Sequence, residues 1–136
     1  MKKILTLIIL ISGFAYPQLN LEELKETPKS DIFMQGFYWN SPPGGNWYDS
    51  LSQVAARLAA SGFSGIWFPS PVKGAGGGFS MGYDPYDHYD FGEFNQKGSR
   101  ETRFGSRSEL INAINAFHSV GIKVFADAVV RHMMGG

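Results

Sequence analysis

Apolar residues along this chain fall into short runs that alternate with segments of helical spacing. The first run, 32–34, is followed by apolar positions three and four residues apart over 47–60, and then by a second run over 63–68. Short apolar runs are typical of buried strands, and the three-to-four spacing predicts an amphipathic helix. A helix between two buried strands predicts a βαβ unit with parallel strands.

The same pattern returns after a long interruption. The segment 70–105 is rich in Gly and Tyr and has no sustained periodicity, which predicts a functional loop or a small excursion. Ser106 or Ser108 then begins a helix that ends at Gly121, and a third strand is predicted over 123–130. Alternating parallel strands and helices are typical of a doubly wound sheet or a closed (β/α)8 barrel, and periodicity does not choose between them. A barrel needs eight strands and roughly 250 residues, so this chain would hold only its beginning.

The first fifteen residues have the pattern of an export signal. Lys2 and Lys3 precede an apolar run over 4–11, and small residues follow it. The run is shorter than the ~20 residues that a bilayer span needs, so a cleaved signal peptide over 1–15 is predicted in place of a membrane anchor. A polar linker is predicted over 16–31. The mature protein is expected to be secreted or periplasmic, with no attachment to a membrane.

Composition excludes several classes of function. The 136 residues contain 12 Lys and Arg against 12 Asp and Glu, and the formal charge of zero lacks the basic field that binds a phosphate backbone. Nucleic acid is therefore not an expected partner. The chain has no Cys, which excludes a zinc-thiolate site and a disulfide framework. Aromatic residues make up 15% of the chain, enough for a large core and for aromatic binding surfaces.

The segment 81–90 concentrates groups that bind sugars. It holds three tyrosines and three aspartates next to the glycine run 74–78. Aromatic faces cover the apolar face of a pyranose, while carboxylates and phenol hydroxyls hydrogen-bond its ring hydroxyls. A tyrosine corner with solvated turns is the alternative interpretation. The aspartate spacing only weakly suggests calcium, because the Gly and Glu positions of an EF-hand are missing, and the glycine run is attributed to loop flexibility.

Two polar residues near the third strand are candidates for function. His132 follows that strand at its carboxyl end, where parallel α/β folds place their ligands. Asp127 stands within an apolar run, and a carboxylate there is costly unless a cation or several donors hold it. A structural ion pair is the simpler interpretation of Asp127.

Taken together, the chain resembles the N-terminal part of an α-amylase, most closely of the liquefying bacterial and archaeal type. Six segments occur in the order seen in that family: 33–39, 65–69, 82–87, 92–98, 102–105 and 127–132. The resemblance implies a (β/α)8 TIM barrel, of which residues 32–136 would be a partial catalytic domain with the first three strand–helix units.

The resemblance also implies an activity. The full-length protein would be a secreted glycoside hydrolase that cleaves internal α-1,4 bonds of starch, glycogen or maltodextrin with retention. The family's nucleophile and acid/base follow strands four and five, and a third carboxylate follows strand seven, so all three are expected beyond Gly136. The 136-residue chain alone is predicted to be inactive. A non-catalytic carbohydrate-binding remnant or a truncated product is the alternative, and the oligomeric state is left open.

Four residues acquire expected roles through the resemblance. Tyr83 matches the tyrosine that stacks on the sugar at the cleaved subsite, and His132 matches the histidine that hydrogen-bonds the same sugar. Gln35 resembles a glutamine near the neighbouring subsite, although a strand-end amide that satisfies the backbone is a close alternative. Asp127 matches an aspartate that supports an arginine beside the nucleophile.

Arg131 departs from the family pattern. The family has an asparagine there whose side-chain oxygen binds calcium, whereas arginine offers five donors and no acceptor. Arg131 is therefore not a metal ligand, and calcium, which the family implies, is doubtful here. Either calcium is lost, or the guanidinium takes its place and bridges the same carboxylates; we adopt the second as a hypothesis.

Overall fold

The computed structural model describes residues 31–135. The predicted signal peptide over 1–15 lies outside the described residues, as does the predicted linker over 16–31 except for Asp31. Neither of the helices within the described range has the length and hydrophobicity needed to span a bilayer.

The described residues form five strands and two α-helices. In chain order these are β1 (Phe33–Gln35), α1 (Trp47–Ala60), β2 (Gly65–Phe68), β3 (Lys73–Gly74), β4 (Pro85–Asp87), α2 (Arg107–Ser119) and β5 (Lys123–Ala126). Strands β1, β2 and β5 form a parallel sheet in that order, and β3 pairs antiparallel with β4. The predicted βαβ unit is confirmed, and the described range holds two complete strand–helix units and a third strand, not three complete units.

Strand β5 is shorter than predicted. It ends at Ala126 instead of continuing to Val130. The reason lies in its neighbour β2, which ends at Phe68 and is followed by Pro69. The last hydrogen bond between the two strands runs from the Asp127 N–H to the Phe68 carbonyl and is 3.1 Å long, so β5 ends where its partner β2 ends.

Both helices pack on one face of the parallel sheet. Ile66 and Phe68 of β2 share a buried core with residues of both helices: Tyr48, Leu51, Ala55, Leu110, Ala113 and Phe117. The side chains that alternate with this set point to the other face, because successive strand residues face opposite sides.

That other face is aromatic and open within the described residues. Phe33, Trp67 and Phe125 are 52%, 41% and 45% exposed. The rings of Phe33 and Phe125 lie 5.0 Å apart, centroid to centroid, across Gly65 of the strand between them. A Cβ on Gly65 would lie 2.4 Å from the Phe33 ring, so glycine is what lets the two rings meet.

Helix α2 begins with a capping box. The Ser106 hydroxyl accepts a hydrogen bond from the Glu109 N–H at 3.3 Å, and the Glu109 carboxylate accepts one from the Ser106 N–H at 2.7 Å. Of the two serines that the sequence offered, Ser106 is therefore the N-cap. The reciprocal bonds satisfy two donors that a helix N-terminus otherwise leaves unpaired.

Replacing Ser106 with alanine is expected to lower the free energy of unfolding by about 1 kcal/mol, since the cap acceptor is lost. Urea unfolding followed by circular dichroism measures this value. Ser108→Ala, which makes the same chemical change in the first turn of α2, is the control and is expected to cost less than about 0.5 kcal/mol. Equal losses in the two variants would contradict the assignment of Ser106 as the cap.

The segment 70–105 is a small excursion built around β3 and β4, one of the two forms predicted for it. Its glycines allow close packing. Gly77 has a φ of +58°, and a Cβ there would lie 2.1 Å from the Lys97 carbonyl oxygen. A Cβ on Gly74 would overlap the Ser80 hydroxyl and the Asp84 carboxylate. The interpretation of the run 74–78 as a source of loop flexibility is therefore wrong for Gly74 and Gly77, where close packing requires a residue without a side chain.

A fully buried lysine lies at the centre of this excursion. Lys73 and Asp90 are both 0% exposed, and the Lys73 Nζ is 3.4 Å from the Asp90 Oδ2. The ammonium also donates to three carbonyl oxygens, those of Arg100 at 2.6 Å, Ser99 at 2.9 Å and Phe94 at 3.2 Å. A buried ammonium is tolerated only when acceptors replace its water, and here every contact comes from residues distant in sequence.

Asp90 is equally well satisfied. Its Oδ1 accepts from the N–H groups of Gly92, Glu93 and Phe94, and its Oδ2 accepts from the Gln96 amide at 2.8 Å. Burial raises the pKa of the Asp90 carboxyl, but the hydrogen bonds from Gln96, Glu93, Gly92 and Phe94 together outweigh it, so the pKa lies below the usual 3.8. Asp90 is thus ionised at neutral pH.

Asp90 is expected to make stability depend on acid. Because its folded pKa is below the unfolded value of 3.8, its contribution is complete above about pH 4 and is lost as the pH falls through the folded pKa. Asp90→Asn is expected to be less stable at neutral pH, and to lose less stability than the wild type between about pH 5 and about pH 2. Thermal unfolding across that range measures both effects, and parallel pH profiles would contradict the prediction.

Candidate functional site

The candidate site lies at the carboxyl edge of the parallel sheet. Parallel strands end at the same edge, where α/β folds place their ligands. Trp39 lies beyond the end of β1, and Asp127 and His132 follow β5. Tyr83 comes from the excursion after β2, immediately before β4. Three separate stretches of chain thus meet at one edge.

Tyr83 is in contact with both residues that follow β5. Its hydroxyl donates a hydrogen bond of 2.5 Å to the Asp127 Oδ2. Its backbone carbonyl oxygen is 2.9 Å from the His132 Nε2. A carbonyl only accepts, so Nε2 carries the hydrogen in this contact. The structure therefore brings together three of the four predicted site residues.

Backbone contacts hold the segment after β5 against the excursion. The Met134 N–H donates to the Pro85 carbonyl at 2.7 Å, and the His88 Nε2 lies 3.0 Å from the Val129 carbonyl oxygen. Gly82 contributes from the other side, because it has a φ of +86° and a Cβ there would lie 2.6 Å from the Ser70 Cβ. The turn that carries Tyr83 is thereby packed directly on the end of β2.

Trp39 completes an aromatic platform. Its ring stacks on that of Tyr83, with 5.9 Å between centroids and 20° between planes, and it is 69% exposed. The two rings border a cavity of about 540 Å³, the Tyr83 cavity, whose lining includes Asn40, Asp84 and Arg103. Flat aromatic faces beside amide, carboxylate and guanidinium groups are suited to ligands with both apolar faces and hydroxyl edges.

The Tyr83 hydroxyl remains protonated at any physiological pH. Burial raises its pKa, and so do the hydrogen bond to Asp127 and the charge of that carboxylate, to about 12. Tyr83 is therefore a hydrogen-bond donor to Asp127 and not an acid or a base. Its ring is left as the surface that a ligand meets.

The predicted roles of Asp127 and Gln35 differ in their structural support. Asp127 is half-buried, and within residues 31–135 it pairs with the Tyr83 hydroxyl and not with a cation. The ion pair predicted for Asp127 is therefore wrong. A buried ion pair forms elsewhere, between Asp90 and Lys73. Gln35 is exposed on the open face of β1, opposite Trp67 in register, and its side chain forms no hydrogen bond to the Tyr83 group among the described residues.

Curated relatives share this part of the chain. No family model matches the sequence. The chain is 41% identical over 107 residues to the cytoplasmic alpha-amylase of Escherichia coli (strain K12), which covers 79% of it. It is 34% identical over 132 residues, 97% of its length, to the glucan 1,4-alpha-maltohexaosidase of Bacillus sp. (strain 707). With the alpha-amylase of Bacillus licheniformis the identity is 40% over 102 residues. The chain belongs to the α-amylase family.

The amylase-family chain is short beside these relatives. It spans 22%, 25% and 20% of the length of the three proteins, respectively. A solved structure also has the same fold over this region, that of a truncated alternansucrase from Leuconostoc mesenteroides NRRL B-1355. The TM-score is 0.67 at 20% sequence identity, over 76% of this chain and 10% of that chain.

The side chains of this amylase-family chain do not provide a cation site within residues 31–135. No group of three or more His, Asp or Glu side chains converges there. The three aspartates of 81–90 already have partners within the protein. Asp84 accepts a hydrogen bond from the Gly76 N–H, Asp87 accepts one from the Tyr89 N–H, and Asp90 pairs with Lys73. Arg131, at the position implied for a calcium ligand, is exposed and offers only donors. The residues present do not fit calcium.

Sequence reasoning about the amylase-family chain missed Trp39 as a site residue. Trp39 is the last residue of the segment 33–39, which drew attention only because it resembles a segment of the α-amylase family. The available signal was an aromatic residue just past the end of a predicted parallel strand, the same argument that identified His132. Its stacking partner Tyr83 is 44 residues away, and no local pattern indicates that pairing.

Proposed function

We propose that the protein is a secreted α-amylase-type glycoside hydrolase that cleaves internal α-1,4-glucosidic bonds of starch, glycogen or maltodextrin with retention. The observation that carries the proposal is the Trp39–Tyr83 platform, held by Asp127 and His132 at the carboxyl edge of a parallel sheet. In this chain these groups would form part of the glucan-binding site.

The proposed roles follow from the chemistry of the groups. The Tyr83 ring offers its face to a glucose unit, while its hydroxyl is occupied by Asp127. His132 is exposed and lies 2.9 Å from the Tyr83 carbonyl, so the other ring nitrogen is available to a sugar hydroxyl. Gln35, exposed at the same end of β1, would contact a neighbouring glucose unit. Contacts that strengthen as the ring distorts would favour the transition state.

The catalytic carboxylates are proposed to lie elsewhere in the protein. Retaining glycosidases place a nucleophile and an acid/base ~5 Å apart on the two sides of the scissile bond. The chain spans a quarter or less of the three relatives compared above, and we place both carboxylates in the remaining part of the family's length. On this proposal the 136 residues alone bind glucan and do not hydrolyse it.

The open aromatic face supports closure into a barrel. Both described helices cover the same face of the sheet, and Phe33, Trp67 and Phe125 occupy the other. An exposed patch of this kind needs a cover, and the edges of the sheet need partners. Further strands that curl around this face would bury the three aromatic side chains as the interior of a (β/α)8 barrel.

Export is proposed from the sequence pattern of residues 1–15. One relative is named a cytoplasmic alpha-amylase, so the compartment needs its own measurement. Fractionation of a producing cell, followed by N-terminal sequencing of the enzyme, would locate it. Enzyme in the medium or periplasm that lacks about the first 15 residues is the expected result, and uncleaved cytoplasmic enzyme would contradict it.

Removal of divalent cations is expected to leave starch hydrolysis unchanged, because Arg131 supplies donors where a calcium ligand is implied. We propose that its permanent charge replaces the ion by pairing with carboxylates outside the described residues. Hydrolysis rates and melting temperatures with excess chelator and with added calcium measure this. The control is Arg131→Asn, which is expected to gain a dependence on calcium. Chelator sensitivity of the wild type would contradict the proposal.

The direct test compares two proteins. One is the product of the complete reading frame that encodes this chain, and the other is the 136-residue chain. Assay on soluble starch is expected to give reducing ends only with the longer product, and NMR of the first products is expected to show the α-anomer. Both proteins are expected to bind maltooligosaccharides. A longer product that binds glucan but never cleaves it would support a non-catalytic binding protein instead.

A further inference from the structure

The two rings of the aromatic platform come from separate segments of the chain. Trp39 follows β1, whereas Tyr83 belongs to the excursion 70–105. Within residues 31–135 no hydrogen bond joins the segment 38–41 directly to the segment 76–84. The position of one ring relative to the other therefore depends on a third part of the chain.

The Arg103 side chain is hydrogen-bonded to both segments. Its Nε donates to the Ser41 carbonyl oxygen at 2.7 Å, and its Nη1 donates to the Phe79 carbonyl oxygen at 2.7 Å. In the described part of the chain, no other side chain bonds to both. A guanidinium suits this role because it is planar and its donors are fixed relative to one another. One rigid group thus spans the two segments.

The bond to Ser41 fixes the turn that carries Trp39. Ser41 is fully buried, and its hydroxyl donates to the Tyr38 carbonyl at 2.7 Å and accepts from the Tyr38 N–H at 3.0 Å. The Ser41 N–H also donates to the Tyr38 carbonyl at 2.9 Å. These three bonds close a tight turn around Trp39, so the Ser41 carbonyl and the Trp39 ring are parts of one small unit.

The bond to Phe79 fixes the turn that carries Tyr83 in the same way. The Ser80 hydroxyl donates to the Asp84 carboxylate and accepts from the Gly82 N–H at 2.9 Å. The residues on both sides of Tyr83 are thereby bonded to the neighbour of Phe79. A shift of the Phe79 carbonyl would be passed on to the Tyr83 ring.

The Arg103 main chain is itself held against the start of α1. Its carbonyl oxygen accepts from the Gly45 N–H at 3.1 Å. The next residue, Phe104, is 1% exposed, and its carbonyl oxygen accepts from the N–H groups of Trp47 and Tyr48 at 3.1 and 3.0 Å. The guanidinium therefore extends from a fixed base.

We propose that Arg103 is a positioning residue for the Trp39–Tyr83 platform, an inference that rests on the proposed function. It holds the two rings in their stacked arrangement before a glucan arrives, so the ligand meets a surface that is already ordered. Without the guanidinium, a glucan would have to order the rings as it binds. Immobilising side chains on binding lowers affinity.

The first measurement is the affinity of the complete reading-frame product for maltohexaose, by isothermal titration. Arg103→Met keeps a side chain of similar reach and removes both donors. It is expected to weaken binding about three- to tenfold. Arg100→Met is the matched control, because the Arg100 Nε also donates to a backbone carbonyl, that of Glu93 at 3.1 Å, but Arg100 does not line the Tyr83 cavity. The affinity of the control is expected to stay within about twofold of the wild type.

The second measurement separates positioning from direct contact with the sugar, since Arg103 also lines the Tyr83 cavity. Arg103→Met is introduced into a Trp39→Ala variant. If Arg103 acts by holding Trp39, little remains for it to position, and the further loss of affinity is expected to be less than about twofold. A direct contact, or a general loss of folded structure, would reduce affinity equally in both backgrounds and would overturn the proposal.

The outcomes distinguish this inference from the proposed function. If the wild type does not bind maltohexaose, both fail. If the wild type binds, unchanged affinity in either Arg103→Met or Trp39→Ala overturns the inference alone. Melting temperatures identify a variant that does not fold. Should Arg103→Met be one, Arg103→Gln, which keeps an amide donor on a shorter side chain, takes its place in both backgrounds with the same pattern expected.

Discussion

Replacing Lys73 with methionine is expected to lower the free energy of unfolding by about 3–5 kcal/mol, the range for removing one partner of a buried ion pair. Methionine fills a similar volume but leaves Asp90 and the carbonyl oxygens of Phe94, Ser99 and Arg100 without their common donor. Urea unfolding followed by tryptophan fluorescence measures the loss.

The control for this prediction is Lys123→Met. Lys123 is exposed on β5, so its replacement is expected to change stability by less than about 0.5 kcal/mol. Lys73→Met as stable as Lys123→Met would mean that the buried ammonium does not organise the segment 70–105.

Replacing Tyr83 with alanine is expected to weaken binding of maltooligosaccharides about 10- to 100-fold, equivalent to about 1.4–2.7 kcal/mol. The substitution removes the ring that stacks on Trp39 and leaves the Asp127 carboxylate without its donor. On the proposed function, the complete protein with the same substitution is expected to lose kcat/KM by at least as much, because the platform would hold the sugar at the bond that is cleaved.

Tyr83→Phe separates the two contributions of this residue. It keeps the ring and removes only the hydroxyl, so glucan affinity is expected to fall less than in Tyr83→Ala. Isothermal titration with maltohexaose compares the two variants with Tyr89→Ala, which changes an exposed tyrosine outside the site. Equal affinities for wild type and Tyr83→Ala would contradict the assignment of Tyr83 to the sugar platform.

Local patterns predicted the regular elements well. The helix predicted from apolar spacing over 47–60 is confirmed with the same bounds in α1, because a single buried stripe fixes both its period and its length. The end of α2 at the glycine that follows it and the parallel direction of β1, β2 and β5 follow from equally local signals. The end of β5 could not be predicted from its own residues, since it is set by where the neighbouring strand β2 ends.

The candidate site was only partly predictable, because its contacts join residues that are far apart in the sequence. Tyr83 and His132 were identified through motif resemblance, and the structure places them in contact. The partner of Asp127 was not predicted, because a hydroxyl 44 residues away satisfies it. The pair of Lys73 with Asp90 was also missed, since an irregular segment carries no period from which burial can be inferred.

The buried ammonium has a consequence for the conditions under which the segment 70–105 stays folded. A bound ion leaves its site when its concentration in the surroundings falls below its dissociation constant, whereas Lys73 is joined covalently to the structure that it organises. Its local concentration is set by the length of its own side chain and does not fall on dilution. The turn that presents Tyr83 to solvent is therefore supported by a cation that no ion-poor medium can withdraw.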